Sequence, residues 1–161
     1  NYIQDSFITI DTTFITEKEL KKKVGTYFGK RKVPTFSLSF ISFGYKYGVP
    51  LDADLMIDVR FLPNPYWVVE LRPYSGNDEP VYKYVMEAKE TQEFIERLIP
   101  FTDYMFEQYA KEGKNHFTVG IGCTGGQHRS VSIARYLFDH YKDIYKCYIE
   151  HRDIKEAPKN D

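Results

Sequence analysis

Residues 117–131 read Phe117-Thr-Val-Gly-Ile-Gly-Cys-Thr-Gly-Gly-Gln-His-Arg-Ser-Val131, and this stretch decides the fold. It begins as an apolar, β-branched run, passes through a glycine-rich loop and enters a helical pattern opened by His128, Arg129 and Ser130. In such a strand, loop and helix, glycines let backbone N–H groups converge on a ligand, and the helix N-terminus adds about half a positive charge. An arginine can bind two oxygens of one anion. The stretch therefore predicts a binding site for phosphate or a similar anion.

The flanking sequence alternates strand patterns with helical patterns. Besides the central run, strands are predicted at 35–43, 54–59 and 144–149. Helices are predicted at 80–88, at 91–111 and after the glycine loop, and Pro100 is expected to kink or split the second of them. The predicted buried positions on these helices are Val81, Tyr84, Val85, Phe94, Leu98, Phe101, Met105, Val131, Ala134, Phe138 and Tyr141. Strands interleaved with helices indicate an α/β fold with a small, mostly parallel sheet flanked by helices.

The chain is predicted to contain one main domain with a piece before it. The basic, proline-ended segment 30–34 favours a boundary near residue 33, so that residues 33–155 form the domain and 156–161 a charged tail. Residues 1–32 then hold a strand, a helix that opens near Thr16, and a linker. Since the chain starts at Asn1 without Met, we expect an excerpt from a longer polypeptide.

Composition excludes several functional classes. The formal net charge of −1 argues against a domain-wide basic field for nucleic acid, so any RNA contact would be a local patch such as Lys21–Lys23 or Lys30–Lys32. The two cysteines, Cys123 and Cys147, do not make a disulfide framework, which favours a reducing cytoplasm. No signal peptide is present, and no apolar run reaches the roughly 18 residues of a membrane span.

Two loops are predicted to leave the carboxyl ends of strands, one after Val59 and one after Cys123. In open α/β sheets, ligands bind outside those ends. If the two strands are parallel neighbours, a single crevice holds Asp58, Arg60, Asn64, Thr124, Gly125, His128 and Arg129. Guanidiniums, an imidazole, a carboxylate and N–H donors together suit a small anion that also carries hydroxyl or amino groups.

The same loop also permits a catalytic interpretation. Cys123, five intervening residues and Arg129 match the spacing of cysteine-dependent tyrosine and dual-specificity phosphatases, in which a thiolate attacks phosphorus and the arginine binds the phosphoryl oxygens. A general acid would be Asp58 or Asp78. Against this, Gly122 stands where that pattern usually has histidine. A cysteine phosphatase is therefore the alternative hypothesis.

Structural roles remain open for these residues. Cys123 can be a small buried side chain, His128 can cap the helix, and the glycines can serve tight packing alone. Asp52, Asp54 and Asp58 could suggest a metal site. However, Asp52 and Asp54 lie in a predicted loop before a strand, where solvated carboxylates are the default interpretation. The predicted loops also contain aromatic residues, namely Tyr45, Tyr47, Tyr66 and Trp67. Their rings could stack on a sugar or base, or they could cover the edge of the core. No metal ligands and no cofactor are predicted for the domain.

Several longer motifs resemble one known family. They are Ser42-Phe-Gly-Tyr-Lys-Tyr-Gly-Val-Pro, Asp52-Ala-Asp, Asp58-Val-Arg-Phe-Leu-Pro-Asn-Pro, Leu71-Arg-Pro and Gly120-Ile-Gly-Cys-Thr-Gly-Gly-Gln-His-Arg-Ser-Val. From about Thr35 to Arg152 the chain resembles the C-terminal domain of the RapZ/YvcJ proteins. Residues 1–32 look like the end of that family's N-terminal P-loop kinase-like domain, whose Walker motif is absent from this chain.

The resemblance implies a regulatory sensor and adapter rather than an enzyme. In the RapZ branch this domain binds glucosamine-6-phosphate and small regulatory RNA, helps to recruit an endoribonuclease, and self-associates. Two departures favour the YvcJ branch, where nucleotide sugars and other partners are expected: Tyr66 replaces a histidine, and the tail 156–161 is not basic. The tail and the net charge weigh against RNA binding.

The resemblance also implies the residues of the ligand site. The residues carried over for the sugar phosphate are Asp58, Thr124, Gly125, His128 and Arg129, with Arg60 and Asn64 as neighbours. The remaining glycine-loop residues of the predicted ligand-binding set are Cys123, Gly126, Gln127 and Ser130.

Overall fold

A computed structural model of the chain describes residues 36–155. The strands are β1 (Ser37–Gly44), β2 (Leu55–Asp58), β3 (His116–Cys123) and β4 (Lys146–His151). The helices are α1 (Glu79–Met86), α2 (Lys89–Glu112) and α3 (Arg129–Tyr141), and short 3-10 turns cover Tyr45–Tyr47, Pro65–Trp67 and Val69–Leu71. The strand, helix and linker predicted within residues 1–32, and the tail 156–161, lie outside the described residues.

The four strands form one sheet in the order β2-β3-β1-β4, and every pairing is parallel. This confirms the predicted α/β fold with a small parallel sheet flanked by helices. In the register, Gly44 of β1 is opposite Cys123 of β3, and Asp58 of β2 is opposite Gly122. The loops that follow β1, β2 and β3 therefore leave the same edge of the sheet.

The core lies between one face of the sheet and the helices. The alternating positions Leu38, Phe40 and Val119 are fully buried, as their period of two predicts. Helix α3 packs against β1, β3 and β4, and α1 packs against α3. In α2, the ring of Phe106 lies 5.5 Å from that of Phe117, which brings this helix to the same face. The sheet thus holds α3, and with it the glycine loop, in a fixed position.

Pro100 does not split the second predicted helix, because α2 continues through it from Lys89 to Glu112. An interior proline removes one hydrogen bond, but burial of Leu98 and Phe106 on either side of it stabilises the continuous helix. The predicted stripe was also wrong at two positions: Phe101 is 51% exposed, and Tyr84 of α1 is exposed as well.

Asp54 aligns β2 with β3. Its carboxylate accepts a hydrogen bond from the Thr118 N–H at 2.8 Å, and it forms an ion pair of 3.3 Å with Lys114. As predicted, Asp54 is an exposed residue in the loop before β2, but its carboxylate also has this structural role. By fixing this register, Asp54 brings the carboxyl end of β2 beside the glycine loop.

Candidate functional site

The glycine loop, residues 124–128, joins the end of β3 to the start of α3. It touches the end of β1: a Cβ on Gly126, where φ is +76°, would lie 2.7 Å from the Gly44 nitrogen. Gly125 differs, since a Cβ there would meet no atom within 4 Å. Among residues 36–155, the N–H groups of Gly125, Gln127 and His128 have no hydrogen-bond acceptor, whereas that of Gly126 donates to the Cys123 sulfur at 3.3 Å. The loop is tightly seated on one side and open on the other.

A cavity of about 830 Å³ opens beside the glycine loop. The predicted site residues that line it are Asn64, Cys123, Thr124, Gly125, Gln127, His128 and Arg129. Further lining residues, which were not in the predicted ligand-binding set, are Lys46, Tyr66, Arg72, Pro73, Tyr74, Ser75, Asn77, Asp78, Ile154 and Lys155. Asp58, Arg60, Gly126 and Ser130 do not line it.

His128 occupies the N-cap position of α3 without capping it through its side chain. The ring is 8% exposed, and its Nε2 atom has no hydrogen-bond partner. Burial lowers the pKa of His128, although the backbone carbonyls of Tyr74 and Arg72 partly oppose that shift. A buried, unpaired ring nitrogen costs about 1–3 kcal/mol, so a ligand group that pairs with it would bind favourably.

Arg129, 5% exposed, has a structural role in addition to any ligand role. Its Nη1 atom donates to the backbone oxygens of Arg60 at 2.6 Å and Leu62 at 3.2 Å. Its Nη2 atom lies 3.5 Å from the Thr124 hydroxyl, and its Nε atom has no partner. The guanidinium therefore connects the loop after β2 to the start of α3.

Asp58 and Arg60 pair with each other instead of facing the cavity. The Arg60 Nη2 atom lies 2.6 Å from the Asp58 carboxylate, and its guanidinium stacks 4.0 Å above the ring of Tyr45. The hydrogen bond from Arg60 is the main cause that lowers the pKa of Asp58, and the charge of Arg129 contributes. Asn64, farther along the same loop, does line the cavity, and its side chain accepts from the Tyr66 N–H at 3.1 Å.

Cys123 lies at the base of the glycine loop and is 2% exposed. Its thiol donates to the Ser130 hydroxyl at 3.2 Å and accepts the Gly126 N–H at 3.3 Å. These contacts make the thiol part of the packing beneath the loop, at the edge of the cavity. Within residues 36–155, no group of three or more His, Cys, Asp or Glu side chains could hold a metal ion.

The opposite wall of the cavity, residues 72–78, is fastened to α3 through Gly76. The Gly76 N–H donates to the Gln127 oxygen at 2.8 Å, and a Cβ on Gly76 would lie 2.5 Å from the His128 oxygen. Asp78, which lines this wall, accepts the Ser75 N–H at 2.8 Å. Apart from the Leu71-Arg-Pro motif, the sequence carries no local signal that this turn-rich segment faces the glycine loop.

The Gln127 side chain binds the segment that follows β4. Its Nε2 atom donates to the Asp153 oxygen at 2.6 Å, and its Oε1 atom accepts the Lys155 N–H at 3.0 Å. Ile154 and Lys155 thereby become a third wall of the cavity. This contact joins residues 26 and 28 positions apart, which local sequence patterns do not reveal.

Comparison with known proteins adds independent information. Residues 36–155 match the family model of the RapZ C-terminal domain. A "nucleotide-binding protein" of Bacillus pumilus (strain SAFR-032) is 47% identical over 149 residues, which cover 92% of this chain and 50% of that protein. One of the same name from Staphylococcus epidermidis (strain ATCC 12228 / FDA PCI 1200) is 50% identical over 146 residues, or 89% of this chain and 48% of the relative. The chain thus spans about half the length of the curated relatives it matches.

Proposed function

The chain belongs to the RapZ C-terminal domain family, and from this premise we propose that the domain is a non-catalytic sensor for a phosphorylated amino sugar or a related anion. The observation that carries the proposal is the pair of buried, unpartnered nitrogens, His128 Nε2 and Arg129 Nε, at the start of a helix beside a cavity. Buried polar atoms without partners are rare in folded proteins, and ligand sites are one place where they occur.

The anionic part of the ligand is expected at the glycine loop. The N–H groups of Gly125, Gln127 and His128 are unpaired within residues 36–155, and the N-terminus of α3 adds a partial positive charge. A phosphate there accepts from several donors at once. This arrangement favours a phosphoryl group over a neutral sugar.

The amino part of the ligand has a candidate partner in Asp78. It is the one carboxylate among the cavity-lining residues of the described chain, and Ser75 holds it in place. A protonated amine would pair with this carboxylate, whereas a hydroxyl would make a weaker hydrogen bond. Asp58, predicted for the site from the sequence, is already paired with Arg60.

Nucleotide sugars are a related ligand class, because relatives that are 47% and 50% identical carry the name nucleotide-binding protein. Adapter functions toward small RNA and a ribonuclease, and self-association, follow from the family resemblance alone. The lysine clusters 21–23 and 30–32 are the candidate RNA contacts. An RNA affinity that falls with salt and with neutralisation of these lysines would support that role.

Isothermal titration of the 161-residue chain with glucosamine-6-phosphate tests the proposal. We expect saturable binding of this ligand, weaker binding of glucose-6-phosphate, and no measurable binding of glucosamine. Gly125→Val should abolish binding without unfolding the protein, because its side chain would extend into open space. Binding of glucosamine as tight as that of its phosphate would contradict the proposed anion site.

A cysteine phosphatase is the second candidate, and the Gly126 N–H on the Cys123 sulfur is the observation that favours it. Such a donor stabilises a thiolate. Hydrolysis of an aryl phosphate that disappears in Cys123→Ser would establish the enzyme. A protein that binds sugar phosphate and leaves aryl phosphate intact would exclude it.

A further inference from the structure

The cavity carries more positive charge than one phosphate requires. Besides Arg129, three cationic side chains line it, namely Lys46, Arg72 and Lys155, against the single carboxylate of Asp78. The whole chain has a formal net charge of −1, so the cavity is a local concentration of positive charge in a slightly acidic protein. A cleft lined by charges of one sign attracts ligands of the opposite charge.

Contacts with the walls of the cavity position the backbones of Lys46 and Lys155 and the guanidinium of Arg72. The Lys46 N–H donates to the Thr124 oxygen at 3.3 Å, and the Lys155 N–H donates to the Gln127 side chain at 3.0 Å. Both lysines are therefore attached to the glycine loop, one near each end. Arg72 stands on the opposite wall, with its guanidinium 4.6 Å above the ring of Tyr66.

None of these three cations forms an ion pair with a carboxylate within residues 36–155. Cations elsewhere in the described chain do, including Arg60 with Asp58 and Lys114 with Asp54. All three residues are exposed, so solvent and salt screen these charges until an anion binds in the cavity. Arg129 and Arg72 have fewer donors left for an anion, because the Nη1 atom of Arg129 donates to two backbone oxygens and the Nε atom of Arg72 donates to that of Tyr66.

The cavity is also large enough for a ligand with more than one anionic group. A volume of about 830 Å³ lies in the upper part of the range of about 300–1,000 Å³ that holds drug-sized ligands. One loop at a helix N-terminus accommodates one anionic group. We propose that the natural ligand carries two separate anionic groups on a sugar: one binds at the glycine loop, and Lys46, Arg72 and Lys155 neutralise the second. This inference rests on the proposed sugar-phosphate function and specifies its ligand class as a sugar bisphosphate.

Titration of the 161-residue chain with two matched probes tests this inference. Fructose 6-phosphate carries one phosphate, and fructose 1,6-bisphosphate carries a second one on the same sugar. We expect the bisphosphate to bind at least about tenfold more tightly, because one additional charge-assisted hydrogen bond contributes that much affinity. The double variant Lys46→Gln/Lys155→Gln should remove most of that advantage, so that the ratio of the two affinities falls toward one.

A variant with the same change in net charge provides the control. Lys83 and Lys146 are exposed and do not line the cavity, so Lys83→Gln/Lys146→Gln should preserve the preference for the bisphosphate. Equal affinity for the two probes would overturn the inference and leave the proposed monophosphate site standing. Binding of neither probe would overturn the inference, and the titration with glucosamine-6-phosphate would then decide separately whether the proposed function stands. If the preference for the bisphosphate fell equally in Lys46→Gln/Lys155→Gln and in the control variant, it would come from the net charge of the protein, and the inference would also be overturned.

Discussion

The Nη1 atom of Arg129 lies 2.6 Å from the backbone oxygen of Arg60. This contact spans the edge of the sheet, from the start of α3 to the loop that follows β2. The residue with the strongest anion-binding chemistry is therefore also a structural residue. Loss of ligand affinity in an Arg129 variant would mix two effects, which is why Gly125→Val is the sharper test of the site.

Arg129→Ala should lower the free energy of unfolding by about 1.5–3 kcal/mol without ligand, because one buried and one partly buried carbonyl lose a charged donor. Urea denaturation of the ligand-free protein measures this. Arg60→Ala is the matched control: it removes an exposed guanidinium but keeps the backbone oxygen, so its effect should be much smaller. Equal stability of wild type and Arg129→Ala would contradict the structural role.

Gly126→Ala should destabilise the protein strongly, whereas Gly125→Ala should not. At Gly126 the new Cβ would lie 2.7 Å from the Gly44 nitrogen, at a φ of +76° that L-residues avoid. Such overpacking costs about 1–3 kcal/mol or more. At Gly125 the Cβ meets no atom within 4 Å. Thermal or urea unfolding of the two variants should separate them, and a reversed order would show that the loop is seated differently.

Stability should fall as the solution is acidified below about pH 6.5, the ordinary histidine pKa. Burial lowers the pKa of both His128 and His151 in the folded protein, so the unfolded chain takes up protons first. The contribution of the two histidines to the free energy of unfolding is fully present above that pH. It decreases as the pH falls toward their pKa values in the folded protein, by at most about 1.4 kcal/mol per pH unit for each histidine. His128→Gln and His151→Gln should each flatten the dependence of stability on pH below about pH 6.5. An unchanged slope in both variants would refute this.

Binding of a sugar phosphate near pH 6 should draw a proton onto the protein. A phosphate beside the unpaired Nε2 atom of His128 favours the imidazolium and opposes the effect of burial on its pKa. Calorimetry in two buffers with different ionisation enthalpies measures the uptake. The ligand phosphate, whose second pKa is about 6, also exchanges protons on binding, so the histidine contribution is the part of the uptake that His128→Gln removes. Equal proton exchange in wild type and this variant would assign none of it to His128.

The sequence predicts the fold well because the evidence for it is local. The period of two in β1 and β3, and the strand, loop and helix around Cys123, each follow from neighbouring residues. Pro100 is the exception, since its cost is offset by the tertiary burial of Leu98 and Phe106. Local periodicity located the helices correctly, but it did not identify which of their aromatic side chains are buried, since Phe101 and Tyr84 are exposed.

The site was only partly predictable, because two of its walls reach it through long-range contacts. Gly76 brings residues 72–78 to His128, and Gln127 brings Lys155 to the glycine loop. Neither contact has a sequence signal of its own. The predicted parallel pairing of β2 with β3 is present and places Asp58 opposite Gly122, but Asp58 does not line the cavity. The pairing did not predict that Arg60, two residues away, would satisfy the Asp58 carboxylate.

Gln127→Leu should release the segment after β4 while leaving the sheet intact. The substitution keeps a similar volume but removes the donor to the Asp153 oxygen and the acceptor for the Lys155 N–H. Each such hydrogen bond contributes about 0.5–1.5 kcal/mol, so the Lys155 amide should exchange with solvent roughly ten- to a hundredfold faster. Amide exchange followed by NMR measures this, with the Tyr148 amide of β4 as the internal reference. Since Ile154 and Lys155 form a wall of the cavity, ligand affinity should fall with the loss of order. Unchanged protection at Lys155 would mean that other contacts hold the segment, and equal deprotection of Tyr148 would mean that the whole strand depends on Gln127.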